Sequence, residues 1–254
     1  MSDVVLGIET SCDETAAAVV ERAQLVRSSV VSSQVERHAP FGGVVPEIAG
    51  RAHVEQMVPV IAEALISAGA EGADLDAVAA TTGPGLAGSL LIGVSAAKAL
   101  SLVWDVPFVS VNHLEAHLYA SFLEEPDLEL PLVVLLVSGG HTMLVLMEDH
   151  CRYRLLGSTL DDAAGEAFDK VSTLLGLGYP GGPVIDQLSD AGDPMGVNLP
   201  RARLASPFDF SFSGLKAAVR REALRQGLEP ERPDDQRVID LAASFQCAVL
   251  DMLE

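Results

Sequence analysis

Two histidines four residues apart, His113 and His117 in "VNHLEAHLYA", are the side chains of this sequence best suited to chemistry. On a helix, positions i and i+4 share a face, so the two imidazoles converge. An imidazole pair is a partial site for a first-row metal, which wants a third protein ligand, usually a carboxylate if the site is catalytic. The stretch is not the zinc-protease signature, in which glutamate follows the first histidine directly. Here Glu115 stands two places on, about 200° around the helix from His113, and cannot be the general base of a protease. Asn112 is a good N-cap residue, and Glu115 falls three residues later, as in a capping box. Two hydrogen-bonded structural histidines are the alternative reading of the pair.

Other stretches carry weaker signals. In "LVSGGHT", residues 136–142, Gly139 and Gly140 let backbone N–H groups approach an anion, and Ser138 adds a donor. An ordinary Gly-Gly hairpin turn reads the same way. The turn "ETSCDET" has Asp13 and Glu14 in place of glycines, carboxylates able to bind a cation or take a proton. Cys12, just before them, has no basic neighbour and is not expected to be a nucleophile. Asp169, on an expected helix, and Asp186, after the "YPGGP" loop at an expected helix start, are placed to accept hydrogen bonds from ribose hydroxyls. A solvated acid and a helix cap are the respective alternatives. "TGPGLAGSLLIG" lacks the GK[ST] of a P-loop. In "DFSFSGLKAA", Ser213 reads as a helix cap and the aromatics as core.

The elements that must position these residues alternate. "VVLGI", "TAAAVV" and "LVRSSVV" read as three strands, with helix a competitor for the second because of its alanines. Pro46 opens a helix that stops at Gly69. A strand "LDAVAAT", a helix "LLIGVSAAKALSLVW", a strand "FVSV" and a helix from Asn112 follow. The second half restarts with "PLVVLLV", "MLVLM" and "YRLLG", then the helix "AGEAFDKVSTLLGLG". Two helices close the chain. The last is apolar on several sides, and Asp251 and Glu254 stand where the helix dipole disfavours acids. The expectation is that this helix lacks its burying partner and that a C-terminal piece is absent from the sequence.

The chain has 254 residues, enough for one large or two small domains. No apolar run approaches the ~20 residues of a membrane span. The N-terminus has no basic stretch of a signal peptide, and three scattered cysteines suit a reduced, cytoplasmic protein. The net charge of −20 makes the chain a poor lone binder of a phosphate backbone. Yet eight of the 16 Lys and Arg lie within 201–237: Arg201, Arg203, Lys216, Arg220, Arg221, Arg225, Arg232 and Arg237. A solvated helix face is the plainer account of that cluster.

Taken together, "GIETSCDETAAAVV", "FGGVVPEIAGRAHVEQ", "TTGPGLAGSLLIGVSAAKAL", "VNHLEAHLYA", "LLVSGGHT", "GEAFDKVSTLLGLGYPGGP" and "FDFSFSGLKAAV" resemble one family from residue 4 to the end. This is the tRNA N6-adenosine threonylcarbamoyltransferase family (TsaD type), formerly the O-sialoglycoprotein endopeptidases. The resemblance implies an α/β, actin-like and Hsp70-like (ASKHA) fold of duplicated βββαβα lobes around an interlobe cleft. The lobes would be residues 1–130 and 131–254, the second cut short at its C-terminal end. It implies one divalent metal, iron or zinc, on His113 and His117. It implies that Leu136, Val137, Ser138, Gly139, Gly140, Asp169, Gly182 and Asp186 bind threonylcarbamoyl-AMP, with ATP or ADP able to occupy the same site. A further aspartate ligand of the family has no counterpart here, and Leu136 replaces a tyrosine that reaches the metal in archaeal relatives.

The implied reaction moves the threonylcarbamoyl group to N6 of adenosine 37 in tRNAs reading codons that begin with A. Asp13 or Glu14 is the candidate proton acceptor, and Lys216, Arg220, Arg221 and Arg225 the candidate tRNA patch. The implied partners are tRNA, an inactive paralogue (TsaB type) and an ATPase subunit (TsaE type), with no membrane. The histidine pair argues for the active type over the paralogue. A metal-dependent glycoprotein endopeptidase and a non-catalytic scaffold subunit are the rival functions.

Overall fold

The computed structural model describes residues 3–228 and 234–254. Arg232 of the basic cluster lies outside the described residues. The chain divides into two compact units, residues 1–128 and 129–254.

In the first unit, β1 (Val4–Glu9), β2 (Glu14–Glu21) and β3 (Leu25–Ser33) form an antiparallel meander. A short helix α1 (Val35–His38) leads to α2 (Pro46–Ala68). β4 (Ala77–Gly83), α3 (Ala87–Trp104), β5 (Phe108–Asn112) and α4 (His113–Glu124) follow. The sheet order is β3-β2-β1-β4-β5, with β1, β4 and β5 parallel. The alanine-rich "TAAAVV" is a strand, because Thr15, Ala17 and Val19 alternate into the core at the period of two that a half-buried strand requires. β4 is buried along Ala77–Thr81, as a strand flanked on both edges by parallel neighbours should be. α2 begins with Pro46 at its first turn and ends at Gly69, whose φ of 60° is the left-handed cap that glycine tolerates.

Val4, Leu6 and Ile8 of β1 face Met57, Val60, Ile61 and Ala64 of α2 and Ala97 of α3, forming the first core. Period two then sends Gly7 and Glu9 to the opposite face of the sheet, the side carrying α4. Among the described residues α3 is long and apolar enough to cross a membrane by length and composition, although Ser89, Ser95, Lys98 and Ser101 interrupt its apolar run. It packs on β4 and α2.

The second unit opens with a three-stranded antiparallel sheet, β6 (Leu132–Val137), β7 (Thr142–Asp149) and β8 (Arg152–Ser158). Helices α5 (Ala164–Leu174), α6 (Gly181–Ser189), α7 (Ser213–Gln226) and α8 (Gln236–Leu253) follow. The meander of the first unit thus recurs, while the parallel strands β4 and β5 have no counterpart among the described residues of the second. α8 does not lack burying partners. Val238, Leu241, Ala242, Phe245, Ala248 and Val249 join one core with residues of α5, α6 and α7, so several apolar sides are used because several helices surround it. Asp251, disfavoured by the helix dipole, is held by Arg201, whose Nε donates to Oδ2 at 2.9 Å.

Candidate functional site

His113 is the first residue of α4, directly after β5, at the carboxyl end of the parallel strands where open α/β sheets bind ligands. Asn112 starts the helix as expected, its side chain accepting from the backbone N–H of Leu114 (2.9 Å) and Glu115 (3.3 Å). The helix then carries His117 one turn on. The two Nε2 atoms lie 3.2 Å apart, with ring centroids 4.6 Å apart and planes at 86°. Two imidazole nitrogens, each about 2.0–2.1 Å from a tetrahedral zinc, stand about 3.3–3.4 Å apart. The pair therefore fits two corners of such a site. Among the described residues no group of three His, Cys, Asp or Glu side chains converges there. Glu115 is exposed and turned to another side of α4.

Behind His113 stands a residue the sequence reading passed over. Glu9, the last residue of β1, lies with Oε2 3.3 Å from His113 Nδ1. Its Oε1 accepts from the backbone N–H of Ser11, and Oε2 accepts from the Thr81 hydroxyl of β4 at 2.5 Å. Burial by itself would raise the Glu9 pKa, but the hydrogen bonds from His113, Ser11 and Thr81 outweigh it and hold the carboxyl down at about 2. Ser11 Oγ also reaches His113 Nδ1 at 3.2 Å. The signal in the sequence was an acid closing an apolar strand, on the register that points away from the core. Glu9, Thr81 and both histidines line a cleft of about 340 Å³ whose other walls are largely alanine.

The turn bearing Asp13 and Glu14 is clamped residue by residue. Thr10 Oγ1 donates to Ser89 O (2.8 Å), Ser11 O accepts from Leu86 N (2.8 Å), and Asp13 O accepts from Gln34 N (3.0 Å). Cys12 O accepts from Nε2 of His53 on α2 at 3.0 Å. Partial burial of its sulfur, then the negative charges of Asp13, Glu9 and Glu14, push the Cys12 thiol up to about 12. The neutral thiol is thereby favoured over the thiolate, in keeping with the sequence reading.

In the second unit the Gly-Gly turn joins β6 to β7, where Leu136 and Val137 pair with Met143 and Thr142. Ser138 is spent on closing the turn. Its Oγ accepts from His141 N (3.0 Å), and its N–H donates to His141 O (2.8 Å). Open space surrounds the positions where Gly139 and Gly140 would carry a Cβ. The turn rests on the first turn of α5, where Gly165 N donates to Ser138 O at 3.2 Å and Ala164 N donates to Thr142 Oγ1 at 2.8 Å.

Asp169, one turn further along α5, accepts from Gly181 N at 2.7 Å and so caps α6. The sequence reading offered that capping role to Asp186. Asp186 is instead the sixth residue of α6, and its Oδ1 accepts from Gln246 Nε2 at 2.9 Å. Gly182 has room for a side chain, whereas a Cβ on Gly181 would meet Phe168 O at 2.4 Å. The chain Gly139–Gly140, Gly165, Asp169, Gly181–Gly182 and Asp186 is thus contiguous across α5 and α6.

The basic cluster is not one open patch. Lys216 pairs with Asp162 (2.6 Å), Arg225 with Glu222 (2.5 Å), Arg237 with Asp235 (2.6 Å), and Arg201 with Asp251. Arg220 and Arg221 are exposed on α7 and make no ion pair among the described residues. Ser213 does not cap α7. Asp161 does, accepting from Phe212 N (2.8 Å) and Ser213 N (3.2 Å) with Oδ1 and from both the Ser211 and Ser213 hydroxyls with Oδ2. Phe210 and Phe212 fill core, as expected.

A meander continued by parallel strands, with a histidine pair at the carboxyl edge of its sheet, defines an actin-like α/β protein. Component A of the (R)-2-hydroxyglutaryl-CoA dehydratase of Acidaminococcus fermentans shares the fold, with a TM-score of 0.52 at 14% identity over 98% of this chain and 76% of that one. Residues 25–254 match the family model "TsaD: tRNA N6-adenosine threonylcarbamoyltransferase". The tRNA N6-adenosine threonylcarbamoyltransferase of Symbiobacterium thermophilum is 58% identical over 98% of this chain and 72% of its own length. That of Thermomicrobium roseum is 52% identical over 98% and 74%. The chain belongs to the tRNA N6-adenosine threonylcarbamoyltransferase family.

Proposed function

We propose that this chain is a cytoplasmic acyltransferase that moves a threonylcarbamoyl group from threonylcarbamoyl-AMP to N6 of adenosine 37 in tRNAs reading codons that begin with A. Family membership supports the reaction. The observation that carries the site is the convergence of His113 Nε2 and His117 Nε2 at 3.2 Å, the bite of one first-row metal ion. His113 and His117 would hold iron or zinc, which when bound would supply Lewis-acid polarisation of carbamoyl or phosphate oxygens. The N–H groups of Gly139 and Gly140 hold the phosphate of the adenylate, or of ATP or ADP, and are preset because Ser138 and His141 have already closed the turn. Asp169, Gly182 and Asp186 flank the nucleoside, and Leu136 and Val137 carry the turn. As the N6 amine attacks the carbamoyl carbon and AMP leaves, a carboxylate of the clamped turn, Asp13 or Glu14, takes the amine proton.

The −20 charge supports dependence on partner subunits for holding tRNA, of the inactive paralogue (TsaB) and ATPase (TsaE) types. Exposed Val54 and Val58 of α2 and Leu91 and Leu102 of α3 supply apolar surface suited to a protein partner. The endopeptidase reading finds no support in Glu115, which faces away from the histidines. The test is transfer from threonylcarbamoyl-AMP to tRNA with metal content measured in parallel. His113→Ala should lose metal and transfer together while keeping its fold. Full turnover by a metal-free His113→Ala protein would overturn the metal role. Transfer by neither protein, with partners supplied, would favour the scaffold reading.

A further inference from the structure

We propose that Glu9 is a positioning residue for this site, holding His113 in the Nδ1–H tautomer so that the Nε2 lone pair faces His117. The inference rests on the reading of the histidines as metal ligands and deepens it.

The argument is one of donors and acceptors. An ionised carboxylate only accepts. Glu9 already accepts the Ser11 N–H on one oxygen and the Thr81 O–H on the other. Its remaining close neighbour is His113 Nδ1, 3.3 Å from Oε2, and only a proton on Nδ1 makes that contact favourable. Ser11 Oγ, 3.2 Å from the same nitrogen, then accepts as well. A neutral imidazole protonated at Nδ1 presents a bare lone pair at Nε2, the atom 3.2 Å from His117 Nε2. A carboxylate behind a ligating histidine fixes ring orientation and tautomer and raises the basicity of the coordinating nitrogen. Glu9 is itself fixed by two elements, the turn through Ser11 and β4 through Thr81, and Thr81 is 5% exposed. The histidine on α4 is therefore aimed from the sheet, not only by its own helix.

Glutamine is the discriminating replacement. It matches glutamate in shape, but its NH2 group must face either the Ser11 N–H or the Thr81 and His113 donors. Toward Ser11 the NH2 meets a backbone N–H that can only donate. Toward Thr81 and His113 it meets a hydroxyl that can rotate and a ring that can accept at Nδ1 by carrying its proton on Nε2, so the second orientation is favoured.

The experiment reads the tautomer without metal, by long-range 1H–15N correlation of the His113 ring in the wild-type chain and in Glu9→Gln. It then reads Zn2+ affinity of both by competition with a chromophoric chelator. The expected result is Nδ1–H in the wild type, a shift toward Nε2–H in Glu9→Gln, and Zn2+ affinity lower by about 10–100-fold, the usual effect of losing such a partner. A wild-type His113 protonated at Nε2, or equal Zn2+ affinity in the two proteins, would overturn the proposal. Should Glu9→Gln fail to fold, Thr81→Val supplies the variant, since it removes one of the two anchors of Glu9. No Zn2+ binding by a wild-type chain that nevertheless shows Nδ1–H would defeat the metal reading and leave the tautomer assignment standing.

Discussion

His53, on α2, donates from Nε2 to the carbonyl of Cys12, 41 residues away, at 3.0 Å. This bond is the last link of a directional chain. Val45 N donates to His38 Nδ1 (3.2 Å), His38 Nε2 donates to Gln34 Oε1 (3.2 Å), and Gln34 Nε2 donates to His53 Nδ1 (3.3 Å), which also accepts from Thr15 Oγ1 (2.8 Å). Each link fixes the next, so both imidazoles are neutral and protonated at Nε2. His38 and His53 are 0% exposed and Gln34 is 2% exposed. The loop before α2 and the turn bearing Asp13 and Glu14 are thereby tied through the interior.

His53→Ala strands the Gln34 amide, the Thr15 hydroxyl and the Cys12 carbonyl. Leaving even one such buried group unpaired costs about 1–3 kcal/mol, and the loss of unfolding free energy should be at least that. Burial holds the His53 pKa below its ordinary value, against the opposing hydrogen bond to Cys12 and the charges of Glu9 and Asp13. The unfolded chain then binds this proton more readily than the folded one. The stability due to a neutral His53 is fully present above a pH of about 6.5 and falls as pH drops below it. Urea titrations between about pH 5 and 7.5 should show this slope in the wild type and a shallower one in His53→Ala. Equal slopes would mean that His53 does not titrate in this window.

Gly165→Ala separates a helix glycine from a site glycine. Gly165 is the second residue of α5, where alanine would be favoured over glycine by at most the roughly 0.5–1 kcal/mol of a helix interior. A Cβ at Gly165, however, would lie 2.6 Å from Ser138 O and 2.9 Å from Gly139 Cα, both backbone atoms. The Gly-Gly turn must move to admit it. The expected outcome is no gain in Tm and at least tenfold weaker binding of AMP or threonylcarbamoyl-AMP, measured by calorimetry. Gly50→Ala in α2, with open space around the new methyl, is the control and should bind normally. Unchanged binding by Gly165→Ala would detach the turn from the donor site.

The legible part of this molecule was its local chemistry. The apolar, β-branched runs that become β1 and β6, Pro46 and Gly69 at the ends of α2, and Asn112 at the start of α4 each follow from a residue and its near neighbours, although the exposure of alternate residues of β6 does not. The histidine pair was legible for the same reason, since helical geometry alone sets i against i+4. Glu9 was not, because its meaning depends on Thr81 and His113, 72 and 104 residues away, and only the parallel pairing of β1, β4 and β5 brings those together. The cap of α7 was misassigned to Ser213 on the same account. Asp161 reaches it from 52 residues upstream. The burial of the last helix is not legible either, because an all-round apolar pattern does not say which neighbours will surround it.

Asp161→Ala removes that distant cap. Two backbone N–H groups at the start of α7 lose their acceptor, which costs about 0.5–2 kcal/mol for a helix cap. The hydrogen bonds from Ser211, Ser213 and Phe212 outweigh desolvation and hold the Asp161 carboxyl below the usual range. Its contribution is therefore present above a pH of about 3.9 and lost as pH falls below it. Thermal unfolding of the wild type and Asp161→Ala should differ at pH 7 and converge on acidification. A difference that persisted unchanged to pH 2 would assign the effect to packing.

The final prediction concerns tRNA. Of the four cations expected to face it, Lys216 and Arg225 are engaged by Asp162 and Glu222, which leaves Arg220 and Arg221 as adjacent exposed charges on α7. If they meet phosphates, each contributes about 0.7–0.9 to the slope of log K against log salt concentration. Reversing both, Arg220→Glu with Arg221→Glu, should weaken tRNA binding and flatten that slope by about 1.5. Charge reversal also makes an already acidic chain more repulsive, so a control must carry the same change in net charge elsewhere. Arg152→Glu with Arg154→Glu does so on β8, at residues that pair with Glu148. General repulsion would lower affinity equally in both double variants. A phosphate-facing pair on α7 would lower it, and flatten the salt dependence, only in the first. Equal slopes in all three proteins would remove α7 from the RNA surface and leave tRNA binding to partner subunits.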